Sequence, residues 1–176
     1  NTITGSEKVI ITKAAGKIEL EQTNGTVEYG KVSNIEIEEN ISNGQIDVAV
    51  TDNTIVEASI IDGKLSITGK QTGATSITLT VAETNNYTSA TVQYSVIVTK
   101  ADNTLTLSAN SGSYTYPDGG TFEVLENTSN GKLTCDSDNK QVADCSIEGT
   151  IVTVVLGTTE GEATLTITSE ATENYN

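Results

Sequence analysis

Glu39-Asn40-Ile41-Ser42-Asn43-Gly44, followed by the alternating run Ile46-Asp47-Val48-Ala49-Val50, decides the fold. The hexapeptide returns as Glu126-Asn127-Thr128-Ser129-Asn130-Gly131, an offset of 87 (39 to 126). The same offset carries Ile11-Thr12-Lys13-Ala14 onto Val98-Thr99-Lys100-Ala101, Tyr29 onto Tyr116, and Glu36 onto Glu123. One inserted residue near Thr68 moves the offset to 88, so that Gly69, Gly73 and Tyr87 meet Gly157, Gly161 and Tyr175. A period of this length is a whole domain copied in tandem, and the fold is read per copy.

Within each copy, apolar residues alternate with polar ones. Lys17–Glu21, Ile35–Glu38, Ile46–Val50, Val56–Ile60, Leu65–Ile67, Ile77–Val81 and Tyr94–Val98 all follow period two. That pattern is a strand with one face packed and the other wet. Asn24-Gly25, Asn43-Gly44, Asp52-Asn53, Asp62-Gly63, Thr72-Gly73 and Asn85-Asn86 punctuate the runs as turn signals. About seven short strands per copy predict an all-β chain of tandem immunoglobulin-like sandwiches. The second copy substitutes within the same phase: Leu105 and Leu107 for Ile18 and Leu20, and Phe122 and Val124 for Ile35 and Ile37. Val152 and Val154 likewise take the places of Leu65 and Ile67. The single proline, Pro117, stands opposite Gly30, where a turn accepts either. The inserted residue is expected as a bulge or longer turn near Val155–Gly157, with Val152 and Val154 still facing inward.

The phase of the repeat sets the expected organisation. Ser6–Lys13 matches Gln93–Lys100, so residues 1–13 read as the last strand of a preceding repeat. Residues 14–100 form repeat one, and 101–176 form repeat two without its final strand. The chain reads as a window on a longer array, with short junctions and limited bending between neighbours. The strand Ala163–Thr168 is expected to expose an unpaired edge. It would be completed by a following segment, or alternatively by Ser6–Lys13 of a neighbouring molecule.

Composition narrows the function. The 176 residues hold nine basic and 24 acidic side chains, a net charge of −15, and no His, Met or Trp. An acidic surface of this strength excludes nucleic acid as a partner and disfavours anionic lipid. No apolar stretch reaches the length of a membrane helix, so no membrane insertion is expected here.

Runs from Val48 through Asp52-Asn53-Thr54-Ile55-Val56-Glu57-Ala58-Ser59, Gly63–Gly69, and Gly73–Leu79 resemble the bacterial immunoglobulin-like domain, group 2. The stretch Ala82–Ala90 is similar to the turn and tyrosine that end such repeats, and Glu173-Asn174-Tyr175 returns in the second copy. The resemblance implies extracellular arrays in adhesins, cell-wall proteins or phage structural proteins, with no catalytic residues and no cofactor.

Cys135 and Cys145 fall on the places of Val48 and Ala58, both on the apolar phase, and are expected to bridge. Two separate buried thiols are the alternative. Without histidine there is no imidazole base, and pairs such as Glu36/Glu38 sit on the wet phase, so no catalytic residue is assigned. Asp136, Asp138, Asp144 and Asp52 read as solvated turns, not calcium ligands. Asn24, Asn40, Asn86 and Asn127 begin Asn-X-Ser/Thr sequons, which would be glycosylation acceptors in a eukaryotic secretory host. A Lys–Asn isopeptide through Lys13 or Lys100 is not expected, because both lysines lie at domain junctions. Tyr87 and Tyr175 are expected to close the sandwich end.

The expected role is a non-catalytic spacer or stalk on a cell or virion surface, its partners neighbouring repeats or adjacent subunits. The alternatives are a filament or virion subunit completed by strand exchange, and a carbohydrate- or receptor-binding module using Asn40–Gly44 and Pro117–Gly120.

Overall fold

A computed structural model describes residues 4–176. The chain divides into two compact units, one ending at Thr99 and the other running Lys100–Asn176. Each is an immunoglobulin-like sandwich, and no helix occurs among the described residues.

Among its described residues unit one has eight strands: β1 (Ile18–Leu20), β2 (Asn24–Glu28), β3 (Val32–Asn40), β4 (Ile46–Val50), β5 (Val56–Ile61), β6 (Lys64–Gly69), β7 (Gly73–Val81) and β8 (Ala90–Thr99). They form two four-stranded sheets, ordered β1-β3-β6-β5 and β2-β8-β7-β4. The inward phase of both sheets supplies the core, where Val56, Leu65, Ile67, Ile77, Leu79 and Val81 are fully buried. Burying a side chain of this size stabilises by about 1.5–3 kcal/mol, which is why the period-two runs hold their register. Strands β5 and β6 are joined by two residues, Asp62 (φ 49°) and Gly63 (φ 77°). Positive φ at both central positions matches the twist of a hairpin, and Asp-Gly tolerates it.

One strand was hidden. Asn24-Gly25 reads as a turn, yet it opens β2, which runs parallel to β8 from Asn24↔Ser95 to Glu28↔Thr99. Gly25 is there for clearance: a Cβ at this position would overlap the Tyr94 hydroxyl. Tyr94 is buried, and desolvation raises its pKa above the usual phenol value, the Gln22 side chain opposing this by a hydrogen bond. A phenol whose folded pKa is raised favours the folded state fully below the unfolded pKa of about 10, and that contribution is lost as pH rises through the higher folded value. Unit one is therefore expected to lose thermal stability above about pH 10, and Tyr94→Phe to flatten that part of the curve, read by calorimetry against pH.

Unit two has six strands: β9 (Leu105–Leu107), β10 (Gly120–Asn127), β11 (Leu133–Ser137), β12 (Ala143–Glu148), β13 (Ile151–Leu156) and β14 (Leu165–Ser169). The first sheet is complete, ordered β9-β10-β13-β12. The second holds only β11 and β14. Counterparts of β2 and β8 are absent among the described residues, and residues 111–115, the repeat equivalent of β2, form no strand. The expected seven strands are thus eight in one unit and six in the other.

The repeat is kept in detail. A bulge makes Glu38 the extra residue of β3 opposite β1, and Leu125 is extra at the same place in β10, which explains why this leucine is exposed. The β12–β13 ladder runs Ala143↔Leu156 to Glu148↔Ile151, the 87-shifted copy of Val56↔Gly69 to Ile61↔Lys64. Val152 and Val154 face the core as Leu65 and Ile67 do. The inserted residue lies in the loop that begins at Gly157, between β13 and β14, a longer turn at the end of the expected Val155–Gly157 stretch and not at Thr68, because the 87 offset holds through Gly69 and Leu156; a slip there inverts no side chains. Ser6–Lys13 forms no strand in this structure and is exposed along its length.

Candidate functional site

The polar residues shared by both repeats converge on turns. Asn40 ends β3, and its Nδ2 donates to the Gly44 carbonyl at 3.3 Å while Ser42 Oγ donates to its Oδ1 at 3.2 Å. In unit two, Asn127 Nδ2 donates to the Gly131 carbonyl at 2.9 Å. Its Oδ1 accepts from Ser129 Oγ at 2.9 Å, Ser169 Oγ at 2.8 Å and Asn103 Nδ2 at 3.3 Å. Ser169 stands where unit one buries Val81, so the second network is the larger. Asn127→Ala is expected to strand partly buried hydroxyls and cost unit two about 1–3 kcal/mol, with Asn40→Ala costing unit one less, read from the separate unfolding transitions.

The other sequon residues are placed differently. Asn24 is exposed at the start of β2, and Asn86 is exposed in the turn after β7. The Asn86 carbonyl accepts the Ala14 amide at 2.8 Å, and Thr88 donates to the Ala14 carbonyl at 2.9 Å. Ala101 repeats that clasp on Asn174 and Asn176, both at 2.9 Å. Tyr87 and Tyr175 thus mark where the first residues of each unit bridge onto its last turn.

Cys135 on β11 and Cys145 on β12 form a disulfide with Cα atoms 6.0 Å apart. β11 belongs to the two-stranded sheet and β12 to the four-stranded one, so the bridge ties the short sheet to the complete one. The acids nearby are engaged. Lys140 Nζ lies 3.0 Å from Asp136 and 3.5 Å from Asp144, and its ammonium holds the Asp136 carboxyl below the usual range. Asp138 Oδ1 accepts the Thr164 amide at 2.7 Å. Asp52 Oδ1 accepts the Thr54 hydroxyl at 2.6 Å and its amide at 2.9 Å, which lowers its pKa. No three His, Cys, Asp or Glu side chains among the described residues sit together as a metal site. The junction lysines are also occupied: Lys13 pairs with Glu83 at 3.1 Å, and Lys100 donates to the Thr172 carbonyl at 2.6 Å. Glu36 pairs with Lys64 across the β3–β6 ladder, and its copy Glu123 accepts from Thr150 Oγ1 at 3.2 Å.

Unit two also carries an uncovered sheet. Ile77 and Leu79 of β7 are 0% exposed beneath the sandwich, whereas their counterparts Leu165 and Ile167 of β14 are only half-buried. Phe122, Leu105 and Leu107 are half-buried too, where Ile35, Ile18 and Leu20 are buried. β14 pairs with β11 from Leu133↔Ser169 to Ser137↔Leu165 and with no other strand among the described residues. Depressions elsewhere are shallow. One of about 370 Å³ is lined by Val50, Asn53, Val56, Glu57, Ala58 and Lys70. It holds one carboxylate and one ammonium, and no second acid to work with the first.

Comparison with known proteins places part of this architecture. Residues 22–99, spanning β2 to β8 and less than half of the chain, match the family described as "Pilus formation protein N terminal region". The group 2 bacterial immunoglobulin-like family is not the one matched. No curated protein matches the sequence. Among solved structures, the chain is similar to the cis-dimer structure of protocadherin gamma B7 domains EC3-6, at 10% identity and a TM-score of 0.33. That alignment covers 91% of this chain and 48% of the other. Protocadherin gamma B2 extracellular cadherin domains 3-6 align at 8% identity and a TM-score of 0.34, over 86% of this chain and 46% of that one. The chain thus spans about half the length of these structures, and at those scores the likeness is loose.

Proposed function

We propose that the chain is a non-catalytic structural segment of a surface-displayed or secreted protein, a spacer made of group 2-type bacterial immunoglobulin-like repeats. What carries this reading is the kind of polar residue that the two repeats share. Asn40/Asn127, Ser42/Ser129 and Gly44/Gly131 build the same turn, and Glu36/Glu123 each hold a cross-strand partner. A duplicated binding or catalytic site would instead repeat polar side chains aimed at an open cleft. The Cys135–Cys145 bridge supports an oxidising compartment. The net charge of −15 supports a solvated exterior that resists self-association through its broad faces. No helix among the described residues is long and apolar enough to cross a membrane.

Two measurements test the reading. Acid-quenched maleimide labelling of the protein from its native cells should find both cysteines blocked, and two reactive thiols would place it in a reducing compartment. A glycan array probed with the 176-residue protein should be blank. Specific micromolar retention would favour a binding module built on the end loops. The match of residues 22–99 to a pilus-formation family favours a second reading, a subunit of a surface filament.

A further inference from the structure

We propose that the β4/β5 side of unit one binds the same side of a second copy of this chain, giving a dimer with a two-fold axis. A difference between the repeats leads there. In unit two the matching side is closed by three devices. The Cys135–Cys145 bridge joins β11 to β12. Lys140 Nζ spans the same two strands, 3.0 Å from Asp136 of β11 and 3.5 Å from Asp144 of β12. Asp144 Oδ1 also accepts the Cys145 amide at 2.8 Å. Carried back by the repeat, the two cysteines become Val48 and Ala58, Lys140 becomes Asn53, and Asp136 and Asp144 become Ala49 and Glu57. Among the described residues no disulfide or ion pair joins β4 to β5, and the depression of about 370 Å³ lies between them.

Both strands are edges fit to pair. β4 pairs with β7 and β5 with β6, and neither pairs with another strand among the described residues. Neither holds a lysine, a proline or a bulge, the usual devices that keep an edge from pairing. By contrast β1, at the other edge of the β5 sheet, is three residues long and bulged. The Thr51 amide donates to the Ser76 carbonyl at 2.9 Å, and the Gln45 carbonyl accepts the Ala82 amide at 2.8 Å. By the alternation of an antiparallel ladder, the main-chain groups of Ile46, Val48 and Val50 then aim away from β7. The Lys70 amide donates to the Ile55 carbonyl at 2.8 Å, which turns Val56, Ala58 and Ile60 outward from β6 in the same way.

Each outward row is centred on one of the two positions that unit two bridges. Centred on Val48, an antiparallel β4 pair sets Ile46 opposite the partner's Val50 and Asp47 opposite the partner's Ala49. Centred on Ala58, a β5 pair sets Val56 opposite the partner's Ile60 and Glu57 opposite the partner's Ser59. No carboxylate directly faces another across either pair, which decides the register in a chain of net charge −15. The equivalents of Val48 and Ala58 have Cα atoms 6.0 Å apart, so one two-fold axis along that line serves both pairs. The half-buried core-phase side chains Ile46, Val48, Val50, Ala58 and Ile60 then run on into the partner's core. The contact engages 5 residues of β4 and 6 of β5, against roughly 20–30 a side in a standard interface, so the dimer is weak, on the order of tens of micromolar.

This inference goes beyond the structural reading above, whose thiol and glycan tests do not depend on it. The test is sedimentation velocity of the oxidised protein from about 1 to 500 µM, with hydrogen exchange at both ends of the range. Mass should rise to the dimer and stop, and the amides of Ile46, Val48, Val50, Val56, Ala58 and Ile60 should become protected as it does. Ala49 is exposed on the outer face, so its variants should unfold at the parent's temperature when dilute. Ala49→Asp sets like charges opposite each other twice in the dimer and should weaken it about tenfold, whereas Ala49→Lys meets the partner's Asp47 twice and should tighten it by a similar factor. Thr26→Lys makes the same change of charge on β2, the far edge of that sheet, and should leave the affinity within about twofold of the parent's. A chain that stays monomeric at every concentration, or grows past the dimer, overturns the proposal. So does association that leaves those amides unprotected, that both Ala49 variants shift alike or not at all, or that Thr26→Lys tightens as much as Ala49→Lys.

Discussion

Reduction of the Cys135–Cys145 bridge is expected to unfold unit two while leaving unit one standing. The bridge joins β11, in a sheet of only two strands, to β12 of the complete sheet. In unit one the equivalent places are Val48 and Ala58, and there β8 and β2 complete the second sheet. Closing a loop of 10 residues stabilises by about 3 kcal/mol if the effect is on the unfolded chain. A domain of this size shifts its Tm by several degrees for each kcal/mol, so the loss is on the order of 15 °C. Against a core whose leucines and phenylalanine are half in water, that is most of the stability at hand. Calorimetry should show two transitions in the oxidised protein, and reductant should move or abolish only one. The Cys135→Ala/Cys145→Ala variant should behave as the reduced protein does. Movement of both transitions together would mean that the bridge is not local to unit two.

The second large effect is a contrast between equivalent positions. Ile77→Ala removes a fully buried side chain from beneath β8 and should cost unit one about 3–4 kcal/mol, the transfer and cavity terms together. Leu165→Ala, at the matching place on β14, removes a side chain already half in water and should cost unit two about 1–2 kcal/mol. Denaturant titration of each unit's transition gives both numbers. Equal costs would show that β14 is covered as well as β7 is.

Much of this was legible in the residues. The strands β4, β5 and β7 stand where alternation put them, because a period of two with one apolar phase has few other solutions. The bridge followed from two cysteines taking two core-phase positions of the other copy. β2 was not legible. Asn24-Gly25-Thr26-Val27-Glu28 has the composition of a turn, and it is a strand only because β8 lies alongside and the Tyr94 hydroxyl excludes a side chain at Gly25. That is a tertiary demand with no local signature. The place of the inserted residue is obscured in the sequence because Gly69 and Gly157 invite alignment. The ladder instead pairs Leu156 with Ala143 and leaves the extra residue to the loop. The roles of Asn40 and Asn127 were hidden beneath a sequon pattern, since the signal that they cap a turn is the Ser and Gly that follow, which a sequon also tolerates.

Among the described residues β14 pairs with β11 and no other strand, and residue-resolved hydrogen exchange of this chain at low micromolar concentration tests that directly. Glu170 donates to the Lys132 carbonyl at 2.9 Å and Asp138 to the Thr164 carbonyl at 3.1 Å. By the alternation of an antiparallel ladder, the amides of Leu165 and Ile167 then point away from β11. In unit one the same alternation aims Ile77 and Leu79 at β8. The prediction is slow exchange at Ile77 and Leu79 and fast exchange at Leu165 and Ile167, with Thr166 and Thr168 protected between them. Slow exchange at Leu165 and Ile167 in the monomer would contradict the account, because a strand would already be there.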